Sequence, residues 1–277
     1  MKTLKLLCLL LCSIAAMLPY SLRAQDDREQ LPWQQRDRRD AIPLPYEYVR
    51  EADMMWSKKI WRTIDVREKM NLPFGYPQRP LIEILHRAAI HGSIKAYDPA
   101  VENADQFKVV MDTAAIARIG TKTDTIMIIN PVTGEEETKV VREEFTWDKV
   151  VKYKIKEVWF FDTKTSTMQV RILGIAPVLE DRDPMGNVRG DMVMYWLYYP
   201  DLRDMLAKEE AFNPKNDQKS LSWEDMLESR CFQSYIYKES NVYDRAINEY
   251  ASGIDAQLEA DRIKNEMMEY EHDLWSY

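Results

Sequence analysis

The chain has 277 residues, 38 of them basic and 46 acidic, for a formal net charge of −8. That balance excludes a nucleic-acid binder, whose affinity rests on basic charge facing phosphates, and it provides no basic surface for anionic lipid. The length is sufficient to bury a substantial core as one domain or two close ones.

The first residues read as an export signal. Lys2 and Lys5 precede an apolar run from Leu6 to Leu18, Pro19 ends that run, and Leu22-Arg23-Ala24 precedes Gln25. A positive start, a short apolar stretch and a small residue before the cut are the features of a cleaved secretory leader. A membrane span needs about 20 apolar residues, so this run is too short to be an anchor. Leu11 stands before Cys12 where a lipidated cysteine usually follows a small residue, which argues against lipidation. We therefore expect a signal peptide over residues 1–24. Its loss removes Lys2, Lys5 and Arg23 but no acid, taking the net charge from −8 to −11. Cys231 is then the one cysteine left, so no intrachain disulfide is expected. Residues 25–44 show no helical or strand period and read as a flexible polar arm, with Trp33 as a candidate anchor on a partner.

From Pro45 to about Met70 the spacing predicts a helix. Pro45 suits a first helical position, and Val49, Ala52, Trp56, Ile60 and Ile64 recur at three and four residues. On such a helix Trp56 and Trp61 cannot face one core line, which leaves one of them available as an interface anchor. Pro80 to Ile90 is a second helix, stopped by Gly92, and Ile94 to Tyr97 a short strand. Thr125 to Ile129 reads as a strand followed by turn residues from Asn130 to Gly134. Lys152, Lys154 and Lys156 alternate with Tyr153 and Ile155, and Val158 to Phe161 extends that strand. After a turn at Asp162 to Ser166, Met168, Val170 and Ile172 alternate with Gln169 and Arg171, predicting an antiparallel hairpin with one buried face. Met192 to Tyr199 is the longest apolar run after the leader and is expected to be the most buried strand.

The last third is expected to be helical. Pro200 to about Glu210 is short. Ser222-Trp223-Glu224-Asp225 resembles a capping box with Asp in place of Glu, opening a helix through Cys231 to about Tyr237. Trp223, Leu227 and Cys231 share a four-residue spacing that makes Cys231 a small buried residue. Asn241 is placed to cap a final helix whose stripe runs Ile247, Tyr250, Ile254, Leu258, then Ile263, Met267, Tyr270 and Leu274. Gly253 falls within it and weakens it.

The sequence shows little that could support catalysis. His86 and His91 stand five apart, which separates them by about 140° on a helix, and His272 is remote. No zinc spacing, nucleophile elbow, phosphate loop or dinucleotide fingerprint occurs. Asp181 to Gly186 fails as a calcium loop because Met185 and Met192 occupy ligand positions, so Asp183-Pro184-Met185-Gly186 reads as a tight turn. No metal or cofactor is expected. The alternative is a cell-envelope glycan-acting enzyme using an unrecognised carboxylate pair among the 46 acids.

Two distinctive blocks remain. One is Trp56-Ser-Lys-Lys-Ile-Trp61-Arg-Thr-Ile-Asp65-Val-Arg67-Glu68-Lys69-Met-Asn71-Leu-Pro73. The other begins Ile155-Lys-Glu157-Val-Trp159-Phe-Phe-Asp162 and runs through Arg171-Ile-Leu-Gly174 and Ser234-Tyr-Ile-Tyr-Lys238-Glu239-Ser-Asn241-Val-Tyr243-Asp244-Arg245 to Glu271-His272-Asp273-Leu-Trp275. Together they resemble the GldN/PorN family of gliding-motility and type IX secretion ring proteins. The resemblance implies a non-enzymatic structural subunit of a periplasmic ring at the inner face of the outer membrane. It also implies partners: a GldK/PorK-type lipoprotein, the periplasmic part of a GldM/PorM-type motor protein, and further copies of the chain. The expected fold is α+β, with N-terminal helices, a central antiparallel β-sheet with long hairpins and C-terminal helices, in a single domain over residues 45–277. The candidate partner interface is Trp33, Trp56, Trp61, Tyr270 and Trp275. Asp112-Thr113-Ala114 and Asp124-Thr125-Ile126 resemble the O-glycan acceptor pattern of the phylum that carries this machine.

Overall fold

The computed structural model describes residues 41–101, 104–129, 136–143, 145–182, 188–214 and 221–275, with backbone alone for 122–129, 136–143, 182 and 275. The expected leader, Trp33, the hairpin turn at 130–134 and the turn at 183–186 lie outside these residues. In chain order the strands are β1 (Met54–Asp65), β2 (Ala96–Tyr97), β3 (Lys122–Ile129), β4 (Glu136–Glu143), β5 (Val150–Asp162) and β6 (Thr167–Arg182). They continue with β7 (Val188–Val193), β8 (Trp196–Tyr198), β9 (Glu210–Ala211), β10 (Leu221–Ser222) and β11 (Tyr235–Glu239). The helices are α1 (Leu81–Ile90), α2 (Thr113–Ile116), α3 (Tyr199–Leu206), α4 (Trp223–Glu228) and α5 (Ile254–Trp275).

The fold is α+β around an antiparallel sheet ordered β11-β1-β5-β6-β8-β2, with β7 also paired to β6. The β5–β6 hairpin read from the lysine alternation is its centre, running from Val150↔Leu179 to Asp162↔Thr167. The largest correction to the sequence reading is β1. The stretch expected as the first helix is a strand paired with β5 from Met54↔Asp162 to Asp65↔Lys152. Trp56, Ile60 and Ile64 recur at four residues, which is close to one helical turn but also two full strand periods. The β-branched residues Ile60, Thr63 and Ile64 then favour the pleated surface, where long-range partners await them.

One sheet face carries most of the core. Ile64, Tyr153, Ile155 and Ile175 pack in one cluster with Leu81 and Leu85 of α1, Leu202 of α3 and Trp223 of α4. Phe74 sits within it, with ring centroids 5.2 Å from Trp223 and 5.6 Å from Tyr153. On the same face, further along β1, Ile60 and Ile236 pack with Ala260, Ile263 and Met267 of α5. The opposite face is covered thinly by Trp61, Ala176 and Trp196, with Tyr97 and Phe107 against them. Gly174 belongs there: a Cβ on it would meet Phe107 Cζ at 2.5 Å and the Leu197 carbonyl at 3.2 Å.

Several ends follow from local chemistry. Gly92, at φ +68°, stops α1, and the Gly92 and Ser93 amides donate to the carbonyls of Ala89 and Ala88. The Asp225 amide donates to Ser222 Oγ at 2.9 Å and the Ser222 amide to Asp225 Oδ2 at 3.2 Å, so the capping box forms with Asp. The helix it opens is shorter than expected. It stops at Glu228, Arg230 adopts a left-handed φ of 55°, and the chain continues into β11 on the free edge of β1. Cys231 is partly buried against the main core. The run from Met192 to Tyr199 divides: Met192 is exposed in β7, while Met194, Tyr195 and Leu197 are buried. Asn241 does not cap the final helix. Its side chain ties the 241–245 turn through the amides of Tyr243 and Arg245. Gly253 precedes α5 rather than interrupting it.

His86 of α1 is buried, with Nδ1 3.2 Å from the Tyr195 hydroxyl and the rings of Phe145 and Trp147 beside it. Burial lowers its pKa, so folding favours the neutral ring. Below about pH 6.5 the unfolded chain takes up a proton that the folded chain refuses. Stability should fall as pH drops from about 6.5 toward the folded-state value, by at most roughly 1.4 kcal/mol per pH unit from this group. Urea unfolding at several pH values checks this, and His86→Gln should flatten the slope in that window. Gly174→Ala should cost about 1–3 kcal/mol through overpacking against Phe107 and the Leu197 carbonyl, read as a lower urea midpoint.

Candidate interaction surface

The long helix α5 presents two contrasting faces. Ala256, Ala260, Ile263, Met267 and Tyr270 repeat at helical spacing and turn toward β1 and β11. Trp56 stacks on Tyr270 with centroids 5.0 Å apart, a pairing worth about 0.5–1.5 kcal/mol beyond its buried area. Glu271 anchors the far end by accepting a 3.1 Å hydrogen bond from the Met168 amide. On the opposite side Ile254, Leu258 and Met268 are 75%, 61% and 61% exposed. They fall within one arc of the helix, among Asp261, Asn265 and His272. These large apolar side chains stand outside the buried core of the fold.

Beneath α5 lies a charged cluster. Glu157 is completely buried, and the Trp159 indole donates to its Oε2 at 2.9 Å. Arg230 grips it with two donors at 2.8 and 3.3 Å, and Arg62 adds Nε at 3.2 Å. Both guanidiniums also lie over the Trp159 ring, at 5.6 Å for Arg62 and 5.3 Å for Arg230. The cluster fastens β5 to β1 and to the residue that leads into β11. For Arg62, desolvation by burial outweighs the attraction of Glu157, and Arg230 adds repulsion, so its pKa is lowered.

The chain before β1 is strapped to the body. The Tyr46 hydroxyl donates to Glu228 at 2.6 Å, and Arg203 lies 3.9 Å over the Tyr46 ring while donating to the Leu44 carbonyl at 2.6 Å. Burial, reinforced by Glu228, raises the Tyr46 pKa far above the ordinary tyrosine value. The side chains of Ile42, Leu44 and Tyr48 remain outside, exposed.

The expected interface residues have separate fates. Trp56 and Trp61 do point to opposite sides, because odd spacing on a strand does what five-residue spacing does on a helix. Trp56 is half-buried under α5. Trp61 is only 6% exposed, and its indole donates to Asp105 at 3.0 Å. Tyr270 stacks on Trp56, so the structure brings these two together and sends Trp61 elsewhere. Trp33 and the side chain of Trp275 lie outside the described residues. The Glu157 cluster was not anticipated. Its signal was a lone acid between Ile155 and Trp159 on the buried face of a strand.

Residues 49–276 match the family described as gliding motility associated protein GldN. The chain belongs to the GldN family. The match takes in the whole sheet, the Glu157 cluster and all of α5. Membership associates the chain with gliding motility and type IX secretion. No curated protein matches the chain. Among the described residues no helix is long and apolar enough to cross a membrane, and no three His, Cys, Asp or Glu are grouped to hold a metal.

Removing the carboxylate strands two guanidiniums in a buried site. Glu157→Gln should therefore lose roughly 3–5 kcal/mol, measured by urea unfolding.

Proposed function

We propose that the chain is a non-enzymatic structural subunit of the periplasmic ring of the type IX secretion system. In this reading it supports protein export across the outer membrane and, in gliding species, motility. It is held at the inner face of the outer membrane by a GldK/PorK-type lipoprotein and meets the periplasmic region of a GldM/PorM-type motor protein. Family membership over residues 49–276 carries the proposal.

The geometry supports it in two ways. The buried acids Glu157 and Glu224 are spent on arginines, and Asp162 is spent on the turn that follows β5. Each thus has a structural partner. Exposed apolar side chains include two separate groups, Ile254, Leu258 and Met268 on α5 and Ile42, Leu44 and Tyr48 before β1, alongside others such as Val242 and Tyr243. A closed ring needs two different patches per subunit, and these two differ in sequence and shape. The surface of α5 between its apolar residues is acidic, which favours a partner with complementary charge. Trp56 and Tyr270 then serve the interface indirectly, by holding α5 in position. Trp33 and Trp275 are retained as candidate anchors, and Trp61 is bound into the sheet.

Detergent-extracted envelope fractionated by size tests the proposal. The chain should elute with the lipoprotein in an assembly far larger than a monomer, and the folded double variant Leu258→Asp, Met268→Asp should shift toward small species. A free wild-type monomer that turns over envelope glycan would contradict it.

A further inference from the structure

The groove under α5 gathers three cationic side chains, Arg62, Arg230 and Lys264. Glu157 is shared between two guanidiniums, so the buried cluster holds a surplus positive charge. Arg62 spends only Nε on that carboxylate, and its terminal N–H groups make no hydrogen bond among the described residues. Arg62 lines a pocket of about 300 Å³ between the sheet and α5. Lys264, on the same pocket, forms no ion pair among the described residues. The remaining wall mixes the apolar side chains of Trp159, Phe232 and Met267 with the polar Gln233 and Ser234. Glu271 reaches the rim but is already bonded to the Met168 amide.

These features select a ligand. A guanidinium with free terminal donors matches a carboxylate in planar, two-bond geometry, and an ammonium adds a point charge. Methionine walls adapt to irregular apolar groups. The volume is at the small end of ligand pockets, which suits one terminal residue rather than a long segment. A long-range field cannot provide the attraction, because the chain as a whole is acidic. Recognition must come from the local donors.

We infer that this groove binds a carboxylate carried on an apolar body, such as the C-terminal leucine of a peptide, with Arg62 and Lys264 on the carboxylate and Phe232 and Met267 on the side chain. The arrangement makes physical sense of the cluster. A second carboxylate would balance the two guanidiniums, relieving Arg62 of the repulsion from Arg230. Neither the site nor its ligand depends on the assembly proposed above.

The test is isothermal titration of the full folded protein with acetyl-leucyl-leucine, acetyl-leucyl-leucinamide and sodium sulfate. The free acid should bind at least tenfold more tightly than the amide or sulfate. Lys264→Glu should weaken it at least tenfold, and Lys264 is exposed, so the melting temperature should not move. Arg62→Lys keeps the charge but loses the fork and should also weaken binding, with its melting temperature measured alongside. Equal binding of acid and amide, no binding of the acid, or undiminished binding by Lys264→Glu would each overturn the assignment. Sulfate binding as well as the acid would overturn the apolar half of it.

Discussion

The fold turns on a single buried carboxylate. Glu157 sits at zero exposure in the central hairpin and takes hydrogen bonds from Arg62, Arg230 and Trp159. Those four residues come from β1, from β5 and from the turn before β11. Only when they converge is the charge of Glu157 tolerable away from water. The cluster therefore fixes the relation of three neighbouring strands, and those strands form the floor on which α5 rests. Ile60 and Ile236 meet Ala260, Ile263 and Met267 on that floor, and the Trp56–Tyr270 stack closes one side. A helix seated this way packs by its inner face, and Ile254 and Leu258 on its outer face stay exposed.

How much of this was legible in the sequence depended on whether the deciding contacts were local. The β5–β6 hairpin was readable because Lys152, Lys154 and Lys156 strictly alternate with Tyr153 and Ile155. The capping box at Ser222 and the stop at Gly92 were readable because their partners lie within a few residues. β1 was not, since the four-residue recurrence of Trp56, Ile60 and Ile64 satisfies a helix and a strand alike, and only the distant β5 decides between them. The same distance hid β11, which was absorbed into the preceding helix because nothing local announces the left-handed turn at Arg230. On α5 the inner stripe uses Ala256 and Ala260, too small to register as apolar anchors, while the prominent Ile254 and Leu258 face outward. The charged cluster was the least legible feature. Arg62 and Arg230 lie 95 and 73 residues from Glu157 in sequence.

Aromatic residues show a related limit. Five were candidates for a partner interface by composition. Where side chains are described, they brace the body: Trp61 hydrogen-bonds Asp105, and Trp56 and Tyr270 clamp α5. Large amphipathic side chains are rewarded equally in cores and interfaces, so residue type cannot separate the two. Exposure can, and the aliphatic groups on α5 and before β1 are among those it marks. An acidic chain with a long antiparallel sheet, a strapped N-terminal segment and an outward apolar helix face is consistent with the proposed role as a building block. The GldN family gives that block its setting.

Electron microscopy of the complex isolated from the envelope tests the central claim most directly. The account predicts a closed ring containing this chain, with Ile254, Leu258 and Met268 of α5 covered by a neighbouring subunit or partner. A ring without the chain, or one in which the outer face of α5 is bare to solvent, would contradict it.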